Sequence, residues 1–347
     1  MSDEEESKFP SPAGRVRQTG RESVEARIRS LMNEDAFTHG WIITGADGAG
    51  KATLAYRIAR ALLDPGSLTD GETLEASSDA KSFRQIAAGA HPDLFVAERA
   101  WDEKKSRYQT EISVETIRKV TSFMSKTAAG GGARVAIVDT ADDMNRNAAN
   151  ALLKILEEPP SKTTLLLLSA TPGKLLATIR SRCRRIDLRA LDDDAVTGLL
   201  ASENLADGDA ASRIAAHAAG RPGYALRLAA GEGASAISLA HQFIGAARKK
   251  GDISKVTGAL TGKNTDERWA IFCEALTGAL ADAARAVARG AGEAEGPLSG
   301  VDARAIVKGF EAMQALMQRG DALNLDRTQL LGAMAYDLQA ALATQRR

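Results

Sequence analysis

The stretch that decides the fold runs from residue 41 to 53 and reads Trp-Ile-Ile-Thr-Gly-Ala-Asp-Gly-Ala-Gly-Lys-Ala-Thr. An apolar strand enters a glycine-rich turn, and a lysine opens the helix that follows. Gly45, Gly48 and Gly50 allow the tight turn whose backbone amides wrap phosphate oxygens, and Lys51 would reach the terminal phosphates. The positive end of the helix adds to this attraction. The pattern predicts a phosphate-binding loop that holds a nucleotide.

The position after the loop lysine departs from the usual pattern. Phosphate-binding loops place Ser or Thr there as a ligand of Mg²⁺. This chain has Ala52 at that position and brings its hydroxyl one residue later, at Thr53. The loop is therefore expected to hold a nucleotide but to be poorly equipped to hydrolyse it; ATP or ADP would bind weakly, with Mg²⁺ present only together with the nucleotide. The alternative is a glycine-rich turn that binds nothing.

A second apolar strand, over residues 135–138, ends in Asp139. An acidic residue at this place holds Mg²⁺ through water in P-loop ATPases. Thr140 follows directly, where ATPases with an associated general base carry glutamate. Because threonine cannot accept a proton from water near neutral pH, the base is missing as well as the Mg²⁺ hydroxyl. Two independent losses in one site predict that it does not hydrolyse nucleotide.

Composition narrows the class of protein. The chain of 347 residues has 45 Lys and Arg and 45 Asp and Glu, so its formal charge is zero. This balance argues against a lone, sequence-independent nucleic-acid binder. Cys183 and Cys273 cannot form a disulfide framework and indicate a reducing compartment. The acidic first residues are the reverse of a signal peptide, and no apolar run reaches membrane-spanning length. We expect a cytoplasmic protein without a membrane partner.

The chain divides into four stretches. Residues 1–20 are polar and predict a disordered tail. Residues 21–190 alternate strand-like and helix-like segments, which is typical of a doubly wound α/β domain with a parallel sheet. Three short helical segments follow over 191–233, and residues 235–347 are alanine-rich and helical. Short apolar runs predict buried parallel strands at 41–44, 93–97, 134–138, 164–169 and 185–188.

Two further segments are diagnostic when they are taken together. Residues 150–160 read Asn-Ala-Leu-Leu-Lys-Ile-Leu-Glu-Glu-Pro-Pro, which alone predicts an amphipathic core helix. Residues 181–183 read Ser-Arg-Cys, just before the last predicted strand. With 91–94 and 112–118, they resemble the AAA+ subunits of the bacterial clamp loader, which opens the sliding clamp for the replicative DNA polymerase. The resemblance covers about 21–230 by motifs, and the remainder by helical character alone.

The resemblance implies three domains. Residues 21–190 correspond to the AAA+ P-loop (RecA-like) domain, and 191–233 to a small three-helix lid. Residues 235–347 correspond to an all-α collar through which subunits assemble. We expect the apolar residues between 330 and 342 to be shared partly with partner subunits.

The resemblance also assigns a role to the arginine of the Ser-Arg-Cys motif. In this family that residue projects across a subunit boundary into the neighbour's ATP site, which makes Arg182 a trans arginine finger. A planar guanidinium suits bidentate contact with phosphate. The alternative is a solvated charge cluster that Arg182 forms with Arg180, Arg184 and Arg185.

Departures from the family pattern indicate the class of subunit. The ATP-hydrolysing gamma/tau subunits carry Gly-Lys-Thr, an Asp-Glu pair and a lid arginine, whereas this chain has Ala52, Thr140 and Gly223. It is similar instead to the delta-prime class, which keeps the trans arginine without working as a motor. Residues 64–90 lack the four cysteines of the family's zinc module, so no zinc is expected.

The similarity implies a subunit of DNA polymerase III with little intrinsic activity as an isolated chain. Its partners would be the gamma/tau and delta subunits, and, through the complex, the sliding clamp and primer-template DNA at the nucleoid-associated replisome. Two alternatives stay open. One is an active gamma/tau-like ATPase, and the other is a P-loop small-molecule kinase, which would not need the Ser-Arg-Cys segment or a helical collar.

Overall fold

The computed structural model describes residues 10–102, 107–128, 131–231, 233–262, 265–288, 296–323 and 325–343. The chain forms two compact units, one of Met1–Glu203 with Ala218–Tyr224 and the other of Asn204–His217 with Ala225–Arg347. The predicted lid, 191–233, contributes to both units, so its boundaries stay a prediction. No helix in the described part of the chain combines the length and the apolar character that a membrane crossing needs.

The first unit is built on a parallel sheet. Over the described residues the strands are β1 Gly40–Thr44, β2 Leu94–Ala97, β3 Trp101–Asp102, β4 Arg107–Tyr108, β5 Arg134–Val138, β6 Thr163–Ser169 and β7 Arg184–Asp187. Five of them form one sheet in the order β2-β5-β6-β1-β7, with every pair parallel, and β3 pairs with β4 as an antiparallel hairpin. The α/β parallel fold is thereby confirmed.

The helices complete the description. In chain order they are α1 Glu22–Asn33, α2 Lys51–Leu63, α3 Lys81–Ala87, α4 Val114–Met124, α5 Arg146–Glu157, α6 Ala177–Arg180, α7 Asp193–Ser202, α8 Gly208–Ala218, α9 Pro222–Ala230, α10 Gly233–Lys249, α11 Ser254–Leu260, α12 Asp266–Ala288, α13 Ala303–Leu323 and α14 Arg327–Leu342. Helical character beyond residue 191 is confirmed.

Helices cover both faces of the sheet, which explains why its strands read as continuous apolar runs. Every residue of β1, β5 and β6 is buried. Ile42 belongs to the core on the side of Leu152 from α5, whereas Ile43 belongs to the opposite core with Leu54 from α2. Successive strand residues point to opposite faces, so a strand between two helical layers needs apolar side chains at each position.

All five predicted strands are present, with ends that differ from the prediction by one residue at most. The core helix predicted from residues 150–160 is α5, which begins after Asn145, whose side chain accepts a hydrogen bond from the amide of Ala148. The hairpin β3–β4 was not predicted. Two-residue strands are too short to show any periodicity in the sequence.

The predicted disordered tail needs a correction. Residues 1–9 lie outside the described residues, but 10–20 are ordered against the first unit. Pro12–Gly14 forms a single 3-10 turn, and Ala13 is buried. Arg60, only 1% exposed, donates hydrogen bonds to the carbonyl oxygens of Ala13 (2.7 Å) and Arg15 (2.6 Å). The prediction was wrong because Arg60 of α2 binds backbone carbonyl oxygens of this segment. Every residue has such an oxygen, so these contacts cannot be predicted from amino-acid composition.

The second unit is helical, and α10, α12, α13 and α14 pack against one another within it. Phe243 and Phe272 meet edge to face in its core, with ring centroids 5.6 Å apart. The apolar residues expected to be shared with partners are buried inside this same unit, so that expectation was wrong. They are Leu330, Leu331, Met334, Leu338 and Leu342.

Candidate functional site

The phosphate-binding loop lies at the carboxyl end of β1, between β1 and the first turn of α2. Gly48 has φ 81° and Gly50 has φ 93°, a region that side chains other than glycine rarely adopt. β1 sits between β6 and β7 in the sheet. Ligands of open α/β sheets bind outside the carboxyl ends of the strands, so the loop has the geometry and the place of a nucleotide site.

The loop lysine is occupied by its own loop. Lys51 is 7% exposed. Its Nζ donates hydrogen bonds to the carbonyl oxygens of Gly45 (2.9 Å) and Ala46 (3.1 Å), and lies 3.3 Å from the Oδ1 of Asp47. The structure thus brings Lys51 and the three loop glycines together as expected. An incoming phosphate would have to compete with these oxygens for the ammonium group.

The start of α9 covers one side of the loop. The amide of Gly223 donates a hydrogen bond of 2.7 Å to the carbonyl oxygen of Gly48. A Cβ atom built on Gly223 would lie 3.1 Å from that same oxygen, and one on Gly48 would lie 2.7 Å from the amide nitrogen of Tyr224. Gly223 is therefore held in a backbone-to-backbone contact with the loop that leaves little room for a side chain.

The ordered N-terminal segment contacts the same loop. The amide group of Gln18 donates a hydrogen bond of 2.8 Å to the carbonyl oxygen of Gly50. Arg21, which is buried, donates one of 3.2 Å to the carbonyl oxygen of Ala49. Sequence reasoning did not find these two residues, because a lone glutamine or arginine in a polar segment has no recognisable pattern.

Asp139 stands at the carboxyl end of β5 in an electrostatic cluster with the loop. Burial, with the nearby Glu98 carboxylate as the second cause, raises the pKa of Asp139 to about 6, and the Lys51 ammonium partly opposes this. Burial, together with Glu98 and Asp139, raises the pKa of Tyr56 to about 12. Glu98 was missed in the sequence. In the fold, Ala97 pairs with Val138, which places the next residues of both strands side by side; this register leaves no pattern in the sequence.

The remaining polar residues near Asp139 have structural partners. Thr140 donates its hydroxyl proton to the carbonyl oxygen of Leu168 at 3.2 Å. Asp142 accepts hydrogen bonds from the hydroxyl of Ser169 and the amide of Ala170, each at 2.6 Å. Thr53 is buried in the first turn of α2. Neither Thr140 nor Asp142 is arranged as a general base for an attacking water.

Arg182 lies at the amino ends of the sheet strands, opposite the phosphate loop. It precedes β7, and β7 runs parallel to β1, so Arg182 is beside the amino ends of the strands while the phosphate loop follows their carboxyl ends. The side chain of Arg182 is 35% exposed, and its Nη2 lies 2.7 Å from Oε1 of Glu157. Its Nη1 donates a hydrogen bond of 3.0 Å to the carbonyl oxygen of Thr178. The structure does not bring Arg182 to the chain's own phosphate loop.

The neighbours of Arg182 have other contacts. Arg184 lies over the ring of Trp41, 5.8 Å from its centroid, and Arg185 forms an ion pair with Asp187. Burial raises the pKa of the Cys183 thiol to about 12, so this thiol packs as a neutral group.

The segment that contains these residues is similar to known proteins. Residues 20–192 match the family described as DNA polymerase III, delta subunit. The "DNA polymerase III subunit delta'" of Pseudomonas aeruginosa is 42% identical over 159 residues, which cover 46% of this chain and 45% of the relative. The protein of the same name from Escherichia coli is 30% identical over 230 residues, 66% of each chain. "DNA polymerase III subunit tau/gamma" of Haemophilus influenzae is 28% identical over 182 residues, 52% of this chain and 25% of that one.

The chain thus spans between 25% and 66% of the length of these relatives. The matched segment contains the phosphate loop, Asp139 and Arg182. Through residues 20–192, the chain belongs to the DNA polymerase III delta-subunit family.

Proposed function

We propose that the chain acts as a delta-prime-type subunit of the DNA polymerase III clamp loader, which places the sliding clamp on primed DNA. Its direct partners are gamma/tau and delta subunits, and it meets the clamp and primer-template DNA through the complex, in the cytoplasm. The lid (191–233) and the collar (235–347) connect it to the assembly. Its contribution is Arg182, which reaches the ATP bound to a neighbouring gamma/tau subunit.

The observation that carries the proposal is the separation of Arg182 from the chain's own phosphate loop. A guanidinium at the amino ends of the strands cannot contact the phosphates of a nucleotide bound at the carboxyl ends of the same strands. Because Arg182 is partly exposed, it remains accessible to a neighbouring molecule. An arginine supplied in trans stabilises the charge on the transferred phosphoryl oxygens.

The chain's own site supports a role without hydrolysis. Lys51 is bound to loop carbonyls, Gly223 occupies the place of the lid arginine, and Thr140 is engaged with Leu168. We propose that ATP or ADP binds weakly here, with Mg²⁺ only as part of the nucleotide complex. Gly45, Gly48, Gly50, Lys51, Thr53 and Asp139 are the residues that would contact it.

The test is a clamp loader rebuilt with Arg182→Ala or Arg182→Lys. A trans arginine is worth ~10³–10⁵-fold in rate at the site it serves. Since it serves one of several sites, DNA- and clamp-stimulated ATPase should fall only in part, while clamp loading, which needs coordinated sites, should fall further. Lysine should not rescue either activity because an ammonium cannot form the planar fork. Arg180→Ala, on an exposed arginine of α6, is the matched control. Normal loading with Arg182→Ala would refute the proposal.

The competing function, an active gamma/tau-like ATPase, is tested on the isolated chain. We expect negligible steady-state hydrolysis, since a general base contributes ~10²–10⁴-fold and none is positioned at Thr140. Turnover at the rate of an active motor, abolished by Lys51→Ala, would favour the competing function. Submicromolar, Mg²⁺-dependent ATP affinity in titration calorimetry would contradict the weak binding proposed here.

A further inference from the structure

The guanidinium of Arg182 has two partners on different helices, an ion-pair partner and a hydrogen-bond acceptor. Glu157, the last residue of α5, places Oε1 2.7 Å from Nη2, and the carbonyl oxygen of Thr178 in α6 accepts from Nη1 at 3.0 Å. A guanidinium has five N–H donors in a rigid fork. One Nη1 donor is committed to Thr178, and Glu157 pairs with Nη2 by charge, so most donors of the fork are left for an incoming phosphate.

Both acceptors stand on packed parts of the fold. The inward face of α5 is formed by Leu152, Ile155 and Leu156, which are buried in the core of the first unit. The short helix α6 is anchored by Ile179, which is also fully buried, and the amide of Arg182 donates a hydrogen bond of 3.1 Å to its carbonyl oxygen. The carboxylate and the arginine backbone are thereby fixed on rigid elements, which is the condition for holding a reactive group within a fraction of an ångström.

The solvent exposure of the Arg182–Glu157 ion pair indicates that it positions the arginine rather than stabilises the fold. The side chains of Arg182 and Glu157 are 35% and 50% exposed. Ion pairs of this exposure add little to the stability of a fold. An arginine side chain, by contrast, has many rotamers, and fixing one in advance lowers the entropy lost when the guanidinium meets its target.

We infer that Glu157 is a positioning residue: it orients the guanidinium of Arg182 toward the terminal phosphate of the nucleotide held by the neighbouring subunit. The inference rests on the proposed function of Arg182 and deepens it. Glu157 itself touches no reacting atom. Its carboxylate leaves the outward donors of the fork free while it favours the observed rotamer of the arginine.

The experiment is a double-mutant cycle in the rebuilt clamp loader. The complexes carry wild-type chain, Glu157→Ala, Arg182→Ala or both changes, and the readouts are clamp-loading rate and the kcat and KM of ATP hydrolysis. Misplacement of a catalytic group by about 1 Å lowers a rate by up to ~10²-fold. We expect Glu157→Ala to slow loading ~2–5-fold, the range that an exposed ion pair can supply, and to lower kcat without raising KM. In the Arg182→Ala background it should have no further effect.

Two variants separate positioning from charge or structure. Glu157→Gln keeps the shape of the side chain and removes its charge, so it should lose the same part of the loading rate as Glu157→Ala if the ion pair positions the guanidinium. Glu158→Ala removes an exposed carboxylate one residue later and should load like wild type. The melting temperature of the isolated chain should be the same for Glu157→Ala and Glu158→Ala.

The outcomes that overturn the inference are distinct from those that overturn the proposed function. If Arg182→Ala is defective but Glu157→Ala loads normally, Glu157 does not position the arginine. If Glu157→Ala slows loading by the same factor with and without Arg182, it acts through another residue, and the inference is wrong while the role of Arg182 stands. If Arg182→Ala loads normally, the proposed function is wrong and the inference falls with it.

Discussion

Replacing Asp139 by asparagine tests the electrostatics of the phosphate-loop cluster. Burial and the Glu98 carboxylate raise the pKa of Asp139 from 3.8 to about 6. A raised carboxyl pKa means that the folded state holds the proton more tightly than the unfolded state. The folded state is therefore favoured most below pH 3.8, and this advantage is lost as the pH rises toward 6. Above about pH 6 the folded chain bears the full penalty of a buried carboxylate.

The size of the penalty follows from the interval between the two pKa values. At ~1.4 kcal/mol per pH unit, the interval from 3.8 to about 6 corresponds to at most ~3 kcal/mol. Since part of the side chain reaches solvent, ~1–3 kcal/mol is the expected range. An asparagine side chain at this position has no charge to bury, so the Asp139→Asn variant should be more stable than wild type by this amount above pH 6.5.

Urea unfolding of both proteins from pH 4 to 8 measures the effect. The stability difference between Asp139→Asn and wild type should be small near pH 4 and should grow until it levels off above pH 6.5. Asp70→Asn is the control of opposite sign, because hydrogen bonds from Thr73 lower the pKa of Asp70. The contribution of Asp70 is fully present above pH 3.8, so its loss should be constant from pH 5 to 8. A difference for Asp139→Asn that does not change with pH, or shrinks as pH rises, would refute this electrostatic account.

Two further predictions concern contacts around the loop. Gly48→Ala places a Cβ 2.7 Å from the amide nitrogen of Tyr224, on a residue with φ 81°, so the free energy of unfolding in urea should fall by ~1–3 kcal/mol. The uncrowded Gly71→Ala should change it by no more than ~0.5 kcal/mol. Equal effects of the two substitutions would contradict the close contact. Glu25→Gln removes the counter-charge of Arg57, its fully buried partner at 2.6 Å, and should lower the free energy of unfolding by ~3–5 kcal/mol. Glu75→Gln, which removes the partner of the exposed Arg17, should change the free energy of unfolding little. A loss below ~1 kcal/mol for Glu25→Gln would show that water or another group solvates Arg57.

The sheet could be predicted because its strands lie between two layers of helices. A strand such as β6, buried at all seven positions, needs an uninterrupted apolar run, and that run is visible without any knowledge of tertiary structure. The hairpin β3–β4 and the order of 10–20 could not be predicted. Their positions depend on cross-strand pairing and on hydrogen bonds from Arg60 to backbone atoms, neither of which imposes a residue pattern.

The site shows the same division between local and tertiary information. The turn of the phosphate loop is local, and the spacing of Gly48, Gly50 and Lys51 is sufficient to predict it. The electrostatic effect of Glu98 on Asp139 depends on strand register, and the ion pair of Glu157 with Arg182 depends on how α5 packs beside α6. Residues so far apart in sequence have no shared pattern in a single chain, so these partners emerge only from the fold.

The chain's own nucleotide site and Arg182 lie at opposite ends of the strands of one sheet. Residues at one end can therefore differ from the family pattern without affecting the other end. β7 is four residues long, and three steps of about 3.3 Å separate its first and last Cα atoms by about 10 Å. Ala52, Thr140 and Gly223 all change the chemistry at the carboxyl edge, and Gly223 even closes onto the loop through Gly48. None of these changes alters the amino edge, where Arg182 is held by its own contacts with α5 and α6. In the proposed function, a subunit built in this way lacks its own hydrolysis and still completes the ATP site of a neighbour.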